Sequence, residues 1–201
     1  MGRIGSLRLA VVGLAILALA GCGPGRAKTL ALGQAPAKAS QPMTLTSDAF
    51  VTGGPIDLRH SGYGANLSPA LHWTAVPGAG AYAIVLEDPD APQAKPFVHW
   101  TLWNIPAGAS DLPEGIPPEP TPAAPHGARQ GANDNGGVGY YGPHPPGWLG
   151  RHHYHYQVFA LDGPLALPAG AAVDALITAM RGHVLAEGEL VGKFRAPAGP
   201  K

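Results

Sequence analysis

The sequence predicts a mainly β domain, an antiparallel sheet or sandwich with one helix late in the chain. Three observations predict it. Short apolar or alternating runs recur, as half-buried and buried strands require. Gly and Pro, 29 and 23 of the 201 residues, cluster between those runs as turn punctuation. Only one segment shows an apolar stripe of helical period. Many strands with a single late helix favour a sheet or sandwich.

The segments come in the following order. Residues 43–50 (MTLTSDAF) alternate and stop at Gly53-Gly54-Pro55. Residues 81–86 (AYAIVL) form an apolar run suited to a buried strand, and residues 97–105 (FVHWTLWNI) are aromatic and β-branched. Residues 154–161 (YHYQVFAL) put Tyr154, Tyr156 and Val158 on one face and His155, Gln157 and Phe159 on the other. Residues 171–181 carry Val173, Leu176, Ile177 and Met180 on one helical stripe, with Gly182 where such a helix ends. Residues 106–150 are long and rich in Pro and Gly, the profile of a functional loop.

The first 21 residues read as an address. Arg3 and Arg8 precede the apolar run from Leu9 to Leu19, the layout of a secretory signal. A membrane-spanning helix needs about 20 apolar residues, and this run is shorter. It ends in Leu19-Ala20-Gly21-Cys22, which resembles the lipoprotein box of bacteria, and Cys22 is the only cysteine in the chain. That resemblance implies cleavage before Cys22, lipidation of its thiol and export to the cell envelope, facing the periplasm or the exterior. Without Arg3 and Arg8 the mature chain has 11 basic and 13 acidic residues, a formal charge of −2. Residues 22–42 read as lipidated Cys and flexible tether, and residues 43–197 as the folded domain. The charge balance shows no basic surface of the kind that grips nucleic acid.

Three clusters carry candidate chemistry. Glu87-Asp88-Pro89-Asp90-Ala91-Pro92 follows a strand, and its two prolines stiffen the carboxylates. His99-Trp100 lies inside the next strand. Residues 139–147 (GYYGPHPPG) lead to His152-His153-Tyr154. Taken singly, the first reads more simply as a solvated turn and the second as a core histidine, and the third is also consistent with an aromatic loop carrying incidental histidines. Their order is more specific: Asp-Pro-Asp-x-Pro, His-Trp, Asn-Ile-Pro, Asn-Asp, Gly-Pro-x-Pro-Pro and His-x-Tyr, together with Asn66-Leu-Ser-Pro69 and residues 179–186 (AMRGHVLA). This resembles the bacterial Raf-kinase-inhibitor-like branch of the phosphatidylethanolamine-binding proteins, across residues 43–195.

The resemblance implies a sandwich of two antiparallel sheets with a C-terminal helix. It also implies a small pocket for phosphate, acetate or a phospholipid head group; with no nucleophile elbow and no nucleotide cradle in the sequence, neither catalysis nor a cofactor is expected. Carried over by position, the pocket residues are Asp88, His99, His152 and Tyr154, walled by the loop containing Tyr141, Gly142, Pro143, His144 and Pro145. In that reading Asp88 holds His99 in its charged form, so anion binding weakens as pH rises. His144, His153 and Asn135 depart from the residues usual in relatives (Cys, Arg and Phe), which makes this rim rich in histidine.

Other readings compete. His153 and His155 with His144 or His152 offer imidazoles for zinc. His, Asp and Tyr are groups that a phosphoester hydrolase uses, although the chain lacks a Gly-x-Ser-x-Gly elbow. The domain also suits a protein-interaction module that inhibits an extracytoplasmic enzyme or a host protein.

Overall fold

The computed structural model describes residues 1–2, 28–38 and 41–198. Cys22 and the signal-like segment lie outside the described residues. Two antiparallel sheets form the domain. The smaller has the order β1-β2-β5, from β1 (Leu45–Thr46), β2 (Leu71–Trp73) and β5 (Asp111–Leu112). The larger has the order β6-β4-β3-β7-β8, from β3 (Ala81–Asp88), β4 (Phe97–Pro106), β6 (Arg129–Gln130), β7 (Arg151–Leu161) and β8 (Val184–Arg195). The expected sandwich of antiparallel sheets is therefore present.

β3 sits at the centre of the larger sheet, and all eight of its residues are buried. A continuous apolar run is what a strand covered on both faces requires. One face looks toward the small sheet, where Tyr82, Ile84, Leu86, Trp100, Leu102, Tyr154, Tyr156 and Val158 pack with Leu45, Leu71 and Trp73. The other face packs Ala83, Val85, Trp103, Phe159 and Leu161 under helix α2 (Val173–Met180). The alternation read in residues 154–161 thus separates two cores. Each fully buried large side chain contributes roughly 1.5–3 kcal/mol of hydrophobic stabilisation.

The structure departs from the sequence reading at four places. The alternating run at 43–50 keeps only Leu45–Thr46 in a ladder. There the Ser47 hydroxyl donates to the Ala70 carbonyl and the chain turns, sending Phe50 against Tyr156. The helix is not C-terminal, because the twelve-residue strand β8 follows it and pairs along the whole of β7. Residues 106–150 are ordered by hydrogen bonds rather than by long ladders. The Gln130 amide donates to Pro117 and Glu119 carbonyls and its oxygen accepts from the Trp100 indole.

The fourth departure concerns the expected tether at 22–42. Residues 28–38 lie on the outer face of the large sheet as a strap. A short helix, α1 (Ala31–Gln34), buries Ala31, and Ala35 follows it into the same core. The Ala31 N–H donates to the buried Glu87 carboxylate and the Leu32 N–H to the Gln157 side chain, each at 2.8 Å. Two sheet residues that would be polar and uncovered on this face thereby gain partners, which is why the strap docks.

Candidate functional site

The pocket forms where three strand ends meet a loop. Its lining includes Asp88 from the end of β3, His99 from β4, His152 and Tyr154 from β7, and Tyr141, His144 and Pro145 from the loop, around a cavity of about 280 Å³. Asp88, His152 and Tyr154 share the inner-face parity of their strands. His99 does not, and a bulge corrects this: Leu86 pairs with Trp100 and Glu87 with Val98, leaving His99 as the extra residue. A bulge re-aims a side chain, and here it turns His99 toward Tyr154, with ring centroids 5.1 Å apart. The bulged backbone is held by the loop, since the Tyr141 N–H donates to the His99 carbonyl at 2.9 Å.

Asp88, His99, His152 and Tyr154 are each at most 3% exposed. Asp88 makes three hydrogen bonds. One oxygen accepts the N–H groups of Asp90 and Ala91, and the other accepts the His152 Nδ1–H at 2.7 Å. The stiff Asp-Pro-Asp turn is therefore folded around its own first carboxylate.

His99 corrects the sequence reading. Its Nδ1–H donates to the Tyr141 carbonyl at 2.7 Å, not to Asp88. Burial pushes its pKa down to about 4, a pull that the Tyr141 carbonyl and the more distant Asp88 charge only partly offset. At neutral pH the ring is uncharged, and its Nε2 carries a lone pair with no partner among the described residues. The expected weakening of binding as a charged His99 loses its proton therefore has no basis in this geometry.

The Tyr154 hydroxyl is buried beside the Asp88 carboxylate, and among the described residues it makes no hydrogen bond of normal geometry. Burial, reinforced by the nearby Asp88 carboxylate, drives its pKa far upward, so it stays a proton donor. An unpaired buried hydroxyl costs free energy, and Tyr154 is among the residues that line the cavity.

Gly142 and Pro143 do not line the cavity. They secure the wall from behind. The Gly142 N–H donates to the Asn66 side chain at 2.7 Å, and the Pro143 carbonyl accepts from Gly62. A Cβ on Gly142 would stand 2.2 Å from the His60 carbonyl oxygen, so only glycine permits this approach. Phe97, Gln93, Ala91, Pro92, Asn135 and Pro146 also line the cavity. Ala91 and Pro92 belong to the acidic motif 87–92 and Phe97 begins the histidine strand, whereas nothing in the sequence points to Gln93.

The remaining histidines disperse. His153 donates to Asp90, His155 to Glu189, and the His144 ring bonds the Tyr141 hydroxyl. Among the described residues, no three His, Cys, Asp or Glu side chains converge as metal ligands do. The zinc reading of these histidines is not carried by their placement.

Comparison with known proteins agrees with this architecture. The family model of the phosphatidylethanolamine-binding protein matches residues 46–195. A UPF0098 protein of Methanothermobacter thermautotrophicus is 42% identical over 154 residues, 76% of this chain and 99% of the relative. A Mycobacterium tuberculosis protein carrying the lipoprotein name LppC is 35% identical over 198 residues, 92% of this chain and 94% of that one. Among solved structures, E. coli YbcL, described as a member of the mammalian PEBP family, superposes with a TM-score of 0.70 at 31% identity. It covers 78% of this chain and 100% of its own. The family-model match, the curated relatives and the shared sandwich together establish that this chain belongs to the phosphatidylethanolamine-binding protein family.

Proposed function

We propose that the protein is an envelope-anchored binder of a small oxyanion, phosphate or a phospholipid head group, which it holds without turnover. The observation that carries this reading is the buried Tyr154 hydroxyl, which has no hydrogen bond of normal geometry among the described residues. It supplies a fixed donor, the lone pair on His99 Nε2 supplies an acceptor, and His152 presents its own Nε2 beside them. A phosphate bearing one proton matches that set: P–OH donates to His99 while P–O⁻ accepts from Tyr154.

Non-catalytic binding is supported by the lining. No Ser, Thr or Cys is among the lining residues to act as nucleophile, and the Asp88 oxygens are already engaged. Envelope anchoring is supported by the lipobox-like residues ending at Cys22 and by the lipoprotein name of the mycobacterial relative.

The test is calorimetric titration of residues 28–201 with phosphate and phosphoethanolamine, beside Tyr154→Phe and a phosphoester turnover assay. Binding lost in the variant, with no turnover, is the expected result. Equal binding by both proteins would overturn the pocket assignment, and turnover would overturn the non-catalytic one.

A further inference from the structure

Nine Lys and Arg side chains fall within residues 28–198. Six of them have a hydrogen-bond partner. Lys38, Arg59 and Lys95 pair with Asp162, Glu114 and Asp174, and Lys28, Arg129 and Arg181 donate to the carbonyls of Ala91, Leu167 and Gln34. The other three, Arg151, Lys193 and Arg195, have none among the described residues, and all three line one cleft of about 600 Å³. No acidic residue lines that cleft. Asp57, between the lining residues Ile56 and Leu58, accepts the Arg59 N–H and lines a different cavity, and Asp90 accepts from His153.

Strand register forces this concentration. Arg151 stands directly opposite Arg195, and Lys193 opposite His153. Like charges facing each other across a ladder destabilise a sheet, so the arrangement has a cost that folding does not explain. Apolar side chains are exposed beside the cations. Leu58 lines the cleft and is 48% exposed, and Trp148 is 81% exposed. Trp148 follows Gly147, where a built Cβ would touch the Ala196 side chain at 3.9 Å, next to Arg195.

We propose that this end of the sandwich docks on an anionic phospholipid surface. The three unpaired cations meet lipid phosphates, and Trp148 and Leu58 enter the interfacial layer, where tryptophan is favoured. Charge complementarity selects this occupant, because a cleft of cations and apolar groups without carboxylates matches a surface that is negative and partly hydrocarbon. Arg151 precedes His152 and Trp148 lies two residues beyond Pro146, so docking brings the oxyanion pocket to the membrane. The proposal does not rest on what that pocket binds.

The test uses unlipidated residues 28–201, which contain both cores; the Methanothermobacter relative, matched over 99% of its length, shows that the domain alone can constitute a protein. The probes are vesicles of phosphatidylcholine with and without phosphatidylglycerol. Trp148 is the one exposed tryptophan, the other three being at most 5% exposed, so its emission should shift to the blue on binding, and Trp148→Phe should remove the shift.

Each basic residue near an anionic surface contributes about fivefold in affinity, so replacing Arg151, Lys193 and Arg195 by Gln should weaken binding on the order of a hundredfold. These side chains make no hydrogen bonds to lose among the described residues, and a melting temperature equal to or above that of the native domain verifies the fold. Raising salt should weaken the native domain in the same direction, a check independent of any variant. Equal binding to both vesicle types, persistence in the triple variant, or binding to soluble polyphosphate but not to vesicles would overturn the proposal.

Discussion

His152 donates its Nδ1–H to Asp88 across 2.7 Å, and the two side chains are only 3% and 4% exposed. This pair joins the end of β3 to the start of β7 at the floor of the pocket. It also fixes which nitrogen of His152 faces the cavity, because the ring donates from Nδ1 and leaves Nε2 free. The Asp-Pro-Asp turn depends on the same carboxylate through the N–H groups of Asp90 and Ala91.

Asp88→Ala should therefore damage both fold and site. Removing one member of a buried, hydrogen-bonded pair costs about 3–5 kcal/mol, and two backbone N–H groups lose their acceptor as well. Urea unfolding should show a loss of unfolding free energy of that order, and phosphate binding should disappear. Asp88→Asn, which keeps one acceptor for the turn, should fall between the variant and the native protein.

Tyr154→Phe should separate stability from binding. The hydroxyl makes no hydrogen bond of normal geometry among the described residues, so deleting it should leave unfolding free energy unchanged or raise it by up to about 1 kcal/mol. A hydrogen bond to a charged ligand is worth about 1.5–3 kcal/mol, so phosphate affinity should fall at least about tenfold. A hydroxyl with a purely structural role would show the opposite pattern, which urea unfolding and calorimetry together would reveal.

His99 should make the domain sensitive to acid. Its folded pKa of about 4 lies below the ordinary value of 6.5, so the unfolded chain binds the extra proton first. Its contribution is fully present above pH 6.5 and is lost as pH falls toward 4, by about 3 kcal/mol in all. Glu87 acts in the other direction, because burial raises its pKa above 4.5 and the folded state takes up its proton first. Unfolding free energy measured across this pH range should lose its acid decline in His99→Gln and steepen in Glu87→Gln.

Most of the fold and much of the site were legible from residue pattern. β3 and β4 announce themselves through long apolar and aromatic runs, and α2 through Leu176, Ile177 and Met180. β8 was hidden because its exposed positions and close contacts replace apolar bulk. Gly192 admits Ile56 and Phe50, whose atoms would stand within 2.8 Å of a Cβ there, and Glu187, Glu189 and Lys193 occupy the more open face. The pocket residues were identifiable from the order of motifs. Their partners were not, because the bulge that gives His99 to Tyr141 rather than Asp88 is a property of register. The strap was missed for a similar reason: Ala31 and Ala35 are too small to announce a core, and their value comes from Glu87 and Gln157, more than 50 residues away.

Removing residues 28–38 should test whether that strap is part of the domain. The truncated chain loses the bonds from the Ala31, Leu32 and Lys38 N–H groups to Glu87, Gln157 and the Val184 carbonyl, and the burial of Ala31 and Ala35, a cost of about 3–4 kcal/mol once water has re-solvated the exposed polar groups. A tether that merely trailed from the domain would cost nothing. Glu87 supplies a local readout, because burial is the leading cause of its raised pKa and the strap covers it. On truncation its carboxyl should titrate closer to 4.5, which NMR can follow directly. A normal Glu87 titration in the untruncated chain would show that the strap does not dock in solution, whatever the change in stability.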